Sequence, residues 1–124
     1  MPELRYTKDH EWVSLDGSTA TVGITDHAQQ ALGDVVFVEL PEVGREVEQA
    51  EACAVVESVK AASDVYAPLK GRITEVNQAL VDDPAMANQD PLGGAWFFRM
   101  EVADQAEFAA LMDQPAYEKL LETT

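Results

Sequence analysis

The chain is poor in cysteine, in basic side chains and in long apolar runs. Its single cysteine, Cys53, cannot form an internal disulfide, and one cysteine with two histidines is a thin inventory for a metal site. Cys53 precedes Ala54-Val55-Val56 and reads as a small buried strand residue. No basic neighbour adjoins it to lower its pKa and make it reactive. Eight Lys and Arg residues face 23 Asp and Glu, a formal net charge of −15. That balance disfavours nucleic acid and anionic membranes, which both bind positive charge. It favours solubility and encounter with partners that carry basic patches. No stretch approaches the roughly 18 apolar residues of a membrane span. Met1-Pro2-Glu3-Leu4-Arg5 shows no charged-then-apolar leader, so a reducing cytoplasm is the expected setting. There is no low-complexity tract, long linker or internal repeat. The 124 residues suit one domain spanning 1–124, large enough to bury a core without disulfide or metal.

Strand signals dominate to about residue 102. Asp16-Gly17 marks a hairpin between Trp12-Val13 and Ala20 to Ile24. Thr25 or Asp26 caps a short helical turn that Gly33 stops, with Gln29 near the capping-box position. Val35 to Leu40 is apolar and β-branched apart from Phe37, Glu39 and Leu40, and reads as a largely buried strand. Val47 starts a weaker strand, Cys53 to Val59 a stronger one, and Ser63 to Ala67 answers it. Arg72 to Val76 is a further short strand. Residues 77–95 predict a loop with one or two helical turns. Trp96, Phe98, Met100 and Val102 alternate onto one expected core face. The segment 104–122 is predicted helical. Asp104 and Glu107 form a capping-box pattern before Phe108, Leu111 and Met112. Asp113 and Pro115 restart a helix with Tyr117, Leu120 and Leu121 as its apolar stripe. Both stripes are expected to pack on the sheet. Many short strands between Gly and Pro turns point to a mainly β sandwich or barrel. Residues 54–62 alone would also fit a helical period.

Residues 55–68, Val-Val-Glu-Ser-Val-Lys-Ala-Ala-Ser-Asp-Val-Tyr-Ala-Pro, are the most informative stretch. Lys60 lies between two strand-like runs, inside a hairpin at about 53–67. The tip, Val59-Lys60-Ala61-Ala62, has none of the glycine or asparagine that hairpin turns favour. A protruding amine with little bulk beside it suits an enzyme that must reach and modify it. A solvated surface lysine is the plain alternative.

Glu57-Ser58-Val59-Lys60-Ala61-Ala62-Ser63-Asp64 resembles the lipoyl-attachment motif of the glycine cleavage system H protein family. Tyr6-Thr7-Lys8-Asp9-His10-Glu11-Trp12-Val13 resembles the family's opening. Val22 to Gln29 and Leu32 to Pro41 resemble its second block. The resemblance covers most of the chain in the family's order. It implies a barrel-sandwich hybrid of the lipoyl-domain type, with lipoic acid joined to Lys60 through an amide. A free lysine amine is protonated at neutral pH, so that bond removes a charge and adds a flexible arm ending in a cyclic disulfide.

The resemblance further implies a non-catalytic carrier. It would take an aminomethyl group from a pyridoxal-phosphate glycine decarboxylase. It would pass the methylene to a tetrahydrofolate-dependent aminomethyltransferase. Its dithiol would be reoxidised by dihydrolipoyl dehydrogenase, and lipoate-attaching enzymes would load it. Such a carrier is expected to dock weakly and as a monomer, because it serves several enzymes. Carboxylates beside a surface cleft would hold the loaded arm's ammonium, and motif position nominates Glu11 and Asp64, with Asp9 after them. Without the resemblance these are solvated surface acids. His10 is read as a turn or edge-strand hydrogen-bonding residue and His27 as a surface or packing residue. Some family members carry a histidine where Ala31 stands, so no role of that imidazole transfers. Pro84-Ala85-Met86-Ala87-Asn88 and Leu92-Gly93-Gly94-Ala95-Trp96 also depart from the family pattern, with cleft lining or partner fit as the property in question. The alternatives are a lipoyl carrier for storage or relay to other lipoylated proteins, a 2-oxoacid dehydrogenase lipoyl domain, a biotin carrier, a small acid–base enzyme on His10 and Glu11, and an acidic β module.

Overall fold

A computed structural model describes residues 3–122, and among these nine strands form two antiparallel sheets. The larger sheet has the order β1-β2-β3-β9-β8-β5 and the smaller the order β4-β6-β7. Strands β1 (Glu3–Tyr6), β2 (Glu11–Asp16) and β3 (Thr19–Ile24) form a meander. Gly17 turns the β2–β3 hairpin at φ 64°, a conformation that costs glycine little. Helix α1 (Asp26–Leu32) follows, then β4 (Val35–Glu39), β5 (Glu46–Val47), β6 (Ala52–Ser58), β7 (Ala62–Tyr66) and β8 (Gly71–Val76). Short helices α2 (Gln78–Asp82) and α3 (Met86–Gln89) precede β9 (Phe98–Val102), and α4 (Gln105–Ala109) and α5 (Gln114–Glu122) close the described chain. The mainly β architecture with a helical end is the one the sequence predicts. The apparent helical period of residues 54–62 loses to strand pairing on both sides of β6.

The core lies between the sheets, where Val13, Val22, Val56, Ile73, Phe98 and Met100 are buried. Complete burial of one such side chain stabilises by roughly 2 kcal/mol relative to exposure. Cys53 joins this core, as its strand position predicts. A second cluster, Tyr6, Trp12 and Tyr117, fastens α5 to the open side of β1 and β2. The Tyr6 and Tyr117 rings stack at 4.6 Å. Gly23 makes room for Trp12, since a Cβ there would stand 2.6 Å from the indole.

Three local readings need correction. Trp96 is only half-buried, while Phe97, assigned by alternation to the other face, is fully buried. The regular strand begins at Phe98. Before it, Phe97 N–H donates to Val22 O and Phe97 O accepts from Asn77 N, so the backbone has turned out of the alternating register. Trp96 instead lies under the Arg99 guanidinium at 4.1 Å. Second, β4 is not largely buried: Val36 is 56% and Phe37 47% exposed. A bulge lies between Val35 and Phe37, and among the described residues no layer covers the smaller sheet's outer face there. Third, the capping boxes do not close. Thr25 accepts from Ala28 N and Asp104 from Ala106 N, but Gln29 turns to Asp26 and Glu107 accepts from Lys70 N.

Candidate functional site

Strands β6 and β7 pair from Ala52↔Tyr66 to Glu57↔Ala62, which leaves Val59, Lys60 and Ala61 at the tip. Lys60 is exposed. The turn needs no glycine because Ser58 makes it: its Oγ accepts from Lys60 N at 3.1 Å and Ala61 N at 3.2 Å. Ser58 N–H also donates to Ala61 O at 2.8 Å. A hydroxyl closing the turn substitutes for positive φ, and no residue from 58 to 62 adopts it. Ser58 stood in the motif, but its turn-forming role was legible only as a weak propensity.

The tip is anchored to the α1–β4 junction. Val59 N–H donates to Asp34 O at 3.0 Å. The Lys60 stem lies over Gly33, where a Cβ would sit 3.3 Å from Lys60 Cε. Gly33 ends α1 at φ 80°, ψ −155°, a region open almost only to glycine. Asn88 clamps this junction from α3. Its Oδ1 accepts from Val35 N at 2.9 Å, and its Nδ2 donates to Gly33 O at 2.7 Å and Gln29 Oε1 at 3.1 Å.

Beside the hairpin, a cleft of about 170 Å³ opens between α1, β2 and β7. Ile24, Ala28, Leu32, Val56 and Val65 give it apolar walls, and Asp9, His10, Glu11, Ser63 and Asp64 supply polar groups. The structure thus brings Glu11 and Asp64 to one cleft, with Lys60 outside its lining. Ala31 also lines it. Residues 84–96 do not, so neither downstream departure changes its wall, although Asn88 supports the neighbouring junction.

Glu11 is not a solvated surface acid: it is 2% exposed. Its Oε2 accepts from Tyr66 N at 2.6 Å and its Oε1 from the Thr7 hydroxyl at 3.0 Å. Burial outweighs these two donors and raises its pKa to about 7. The carboxyl group also forms part of a larger groove, about 390 Å³, whose lining includes Tyr6, Tyr66, Leu111 and Met112. Asp64 is exposed and pairs with Val55 in the β6–β7 ladder. Asp9 is exposed in the β1–β2 turn. His10 sits in that turn at φ 67°, its Nδ1 2.8 Å from the Tyr117 hydroxyl, as a turn hydrogen-bonding residue should be. Burial first, then the nearby His27, lowers its pKa. The two imidazoles lie 4.5 Å apart. Among the described residues, no cluster of His, Cys, Asp and Glu could hold a metal, and no helix is long and apolar enough to cross a membrane.

A family model described as Glycine cleavage H-protein matches residues 4–124. The Glycine cleavage system H protein of Acidiphilium cryptum is 67% identical over 99% of both chains. That of Escherichia coli is 54% identical over 97% of this chain and 94% of its own. The crystal structure of a glycine cleavage system H protein from Mycobacterium marinum superposes with a TM-score of 0.85, at 40% identity and 98% coverage of each chain. With a family match across nearly its whole length and the same fold, this chain belongs to the glycine cleavage H-protein family.

Proposed function

We propose that the chain acts, as one unit over 1–124, as the lipoylated carrier of glycine cleavage, with the arm attached at Lys60. The observation that carries this reading is the exposed Lys60 on a braced tip, beside an apolar cleft whose polar wall includes Glu11 and Asp64. The residues present fit a lipoyl group. The amine is accessible to an acylating enzyme, the cleft walls suit an aliphatic chain, and the carboxylates suit an ammonium at its end. When bound, the lipoyl group supplies a disulfide that accepts a carbon unit and two electrons together.

The protein's own part is positional and non-catalytic. Ser58 and Asp34 hold the tip, and Gly33 leaves a lane for the lysine stem. Glu11, partly protonated near neutrality, and Asp64 would bind the amino end of the cargo and keep water from it. The partners in this reading are a pyridoxal-phosphate glycine decarboxylase, a tetrahydrofolate-dependent aminomethyltransferase, dihydrolipoyl dehydrogenase and lipoate-attaching enzymes, met as a monomer in the cytoplasm.

The test is loading followed by reconstitution. Treatment with a lipoate-attaching enzyme should add one lipoyl group, mapped to Lys60 by peptide mass. The loaded protein should then support glycine–bicarbonate exchange with the glycine decarboxylase, and Lys60→Arg should not. Loading at Lys60 without exchange would favour relay to other lipoylated proteins. Absence of loading would overturn the proposal.

A further inference from the structure

We infer that the outer face of the β4-β6-β7 sheet is the docking surface for the enzyme that acylates Lys60, through a complementary surface with an apolar pocket and a basic rim. The inference rests on the proposed modification of Lys60 and concerns how the modifying enzyme finds it. The hairpin's inner side is already occupied, since Val56 and Val65 pack into the core. On its outer side Phe37, Glu39 and Ala62 are exposed, with no covering layer among the described residues. Register places Phe37 opposite Glu57 and Glu39 opposite Val55. Phe37 is 47% exposed, and Val59, next to Lys60, is 68% exposed. An exposed phenyl ring paired with the lysine-bearing hairpin, and an exposed valine adjoining Lys60 in sequence, differ from the single apolar residues scattered over most surfaces.

The charge around them has one sign. Strands β4, β6 and β7 contain no Lys or Arg. The observed ion pairs use Glu48, Glu51, Glu75 and Glu101, which leaves Asp34, Glu39 and Glu57 without a cationic partner among the described residues. A partner with Lys or Arg around an apolar centre would satisfy both features and be steered to the tip.

Reach selects the acylating enzyme among possible partners. In acylation, Lys60 Nζ bonds to the acyl carbon of an adenylate made from lipoate and ATP. The bond from that carbon to AMP breaks, AMP leaves with the electron pair, and the amine loses a proton to solvent. Nζ and the acyl carbon must approach to about 3–3.5 Å, so the enzyme must cover the residues around the tip. Enzymes that act on the arm's far end have no such obligation.

The test measures initial rates of lipoylation of the apo chain by a purified ATP-dependent lipoate ligase, read by intact mass. Phe37→Ser should raise KM about tenfold, and Phe37→Lys should raise it further by placing a cation against the basic rim. Glu39→Lys should also raise it, and wild-type KM should rise with salt. Val43→Ser, at an exposed valine outside this face, should match wild type. Each variant is exposed enough to keep the fold, which circular dichroism and thermal melting verify. Equal KM for wild type and both Phe37 variants would overturn the docking face while leaving Lys60 as the modified residue. No acylation of wild type would overturn the proposed function itself. Variants loaded to completion should serve the glycine decarboxylase at the wild-type rate. A matching loss there would assign the face to that enzyme and overturn this inference.

Discussion

The Glu11 carboxylate accepts the backbone N–H of Tyr66 at 2.6 Å and so joins β2 of the larger sheet to the end of β7 in the smaller one. Burial raises the pKa of this brace from 4.5 to about 7. The folded chain therefore binds this proton more tightly than the unfolded chain. The resulting stabilisation is complete below about pH 4.5 and is lost as pH rises through about 7. Between pH 5 and 8 the loss should be about 2–3 kcal/mol in unfolding free energy. Glu11→Gln should remove that slope, leaving only the background of the other carboxylates. Urea denaturation of both proteins at several pH values checks this, and parallel profiles would contradict it.

Lys60 and Gly33 give a second test. Gly33→Ala should cost roughly 1–3 kcal/mol, because alanine is strained in this backbone region. The new Cβ should also push the lysine stem from its lane. In solution, nuclear Overhauser contacts between the Gly33 α protons and the Lys60 ε protons are expected in the wild type. Their absence would mean that the stem does not rest there.

Much of this arrangement was legible in the sequence because it follows from local rules. Period-two alternation, Gly and Pro turns and the Thr25 cap placed most elements within a few residues. The motif nominated Lys60 directly. The failures have long-range causes. Phe37 looks like core from its neighbours, and only the missing layer beyond the smaller sheet exposes it. Glu11 looks like one surface acid among 23, and only pairing with Tyr66, 55 positions away, buries it. Asn88 acts on a junction more than 50 positions earlier, which no local pattern encodes.

That junction depends on Asn88, whose amide engages Val35, Gly33 and Gln29. Asn88→Ala strands the Val35 N–H and the Gly33 carbonyl, and should cost about 2–3 kcal/mol. Hydrogen exchange should show the Val35 and Val59 amides opening before the core of β6. Unchanged protection at both would show that other contacts hold the junction.

Tyr117 fastens α5 in two ways, by stacking on Tyr6 and by hydroxyl contacts with His10 Nδ1 at 2.8 Å and Thr25 Oγ1 at 2.7 Å. Tyr117→Phe removes only the hydroxyl contacts and should cost about 1–2 kcal/mol. Tyr117→Ala also removes the buried ring and should cost about 3–5 kcal/mol. Thermal melts of the two variants separate the contributions; equal losses would mean that the ring adds nothing beyond its hydroxyl.

Cys53 should be inert in the folded protein. It is buried, its thiol lies 3.6 Å from Val65 O, and burial above all, with the nearby Glu11 charge, pushes its pKa up to about 12. Thiolate is the form that attacks disulfides, so almost none is present at neutral pH. This matters for a carrier whose arm ends in a cyclic disulfide, because an exposed thiolate on the same chain could open that ring out of turn. An aromatic disulfide reagent at pH 8 should therefore label Cys53 only through the unfolded molecules, and urea should accelerate labelling in proportion to the unfolded fraction. Complete labelling of the native protein within seconds would show that the thiol is accessible and ionised, and would remove burial as the protection for the arm.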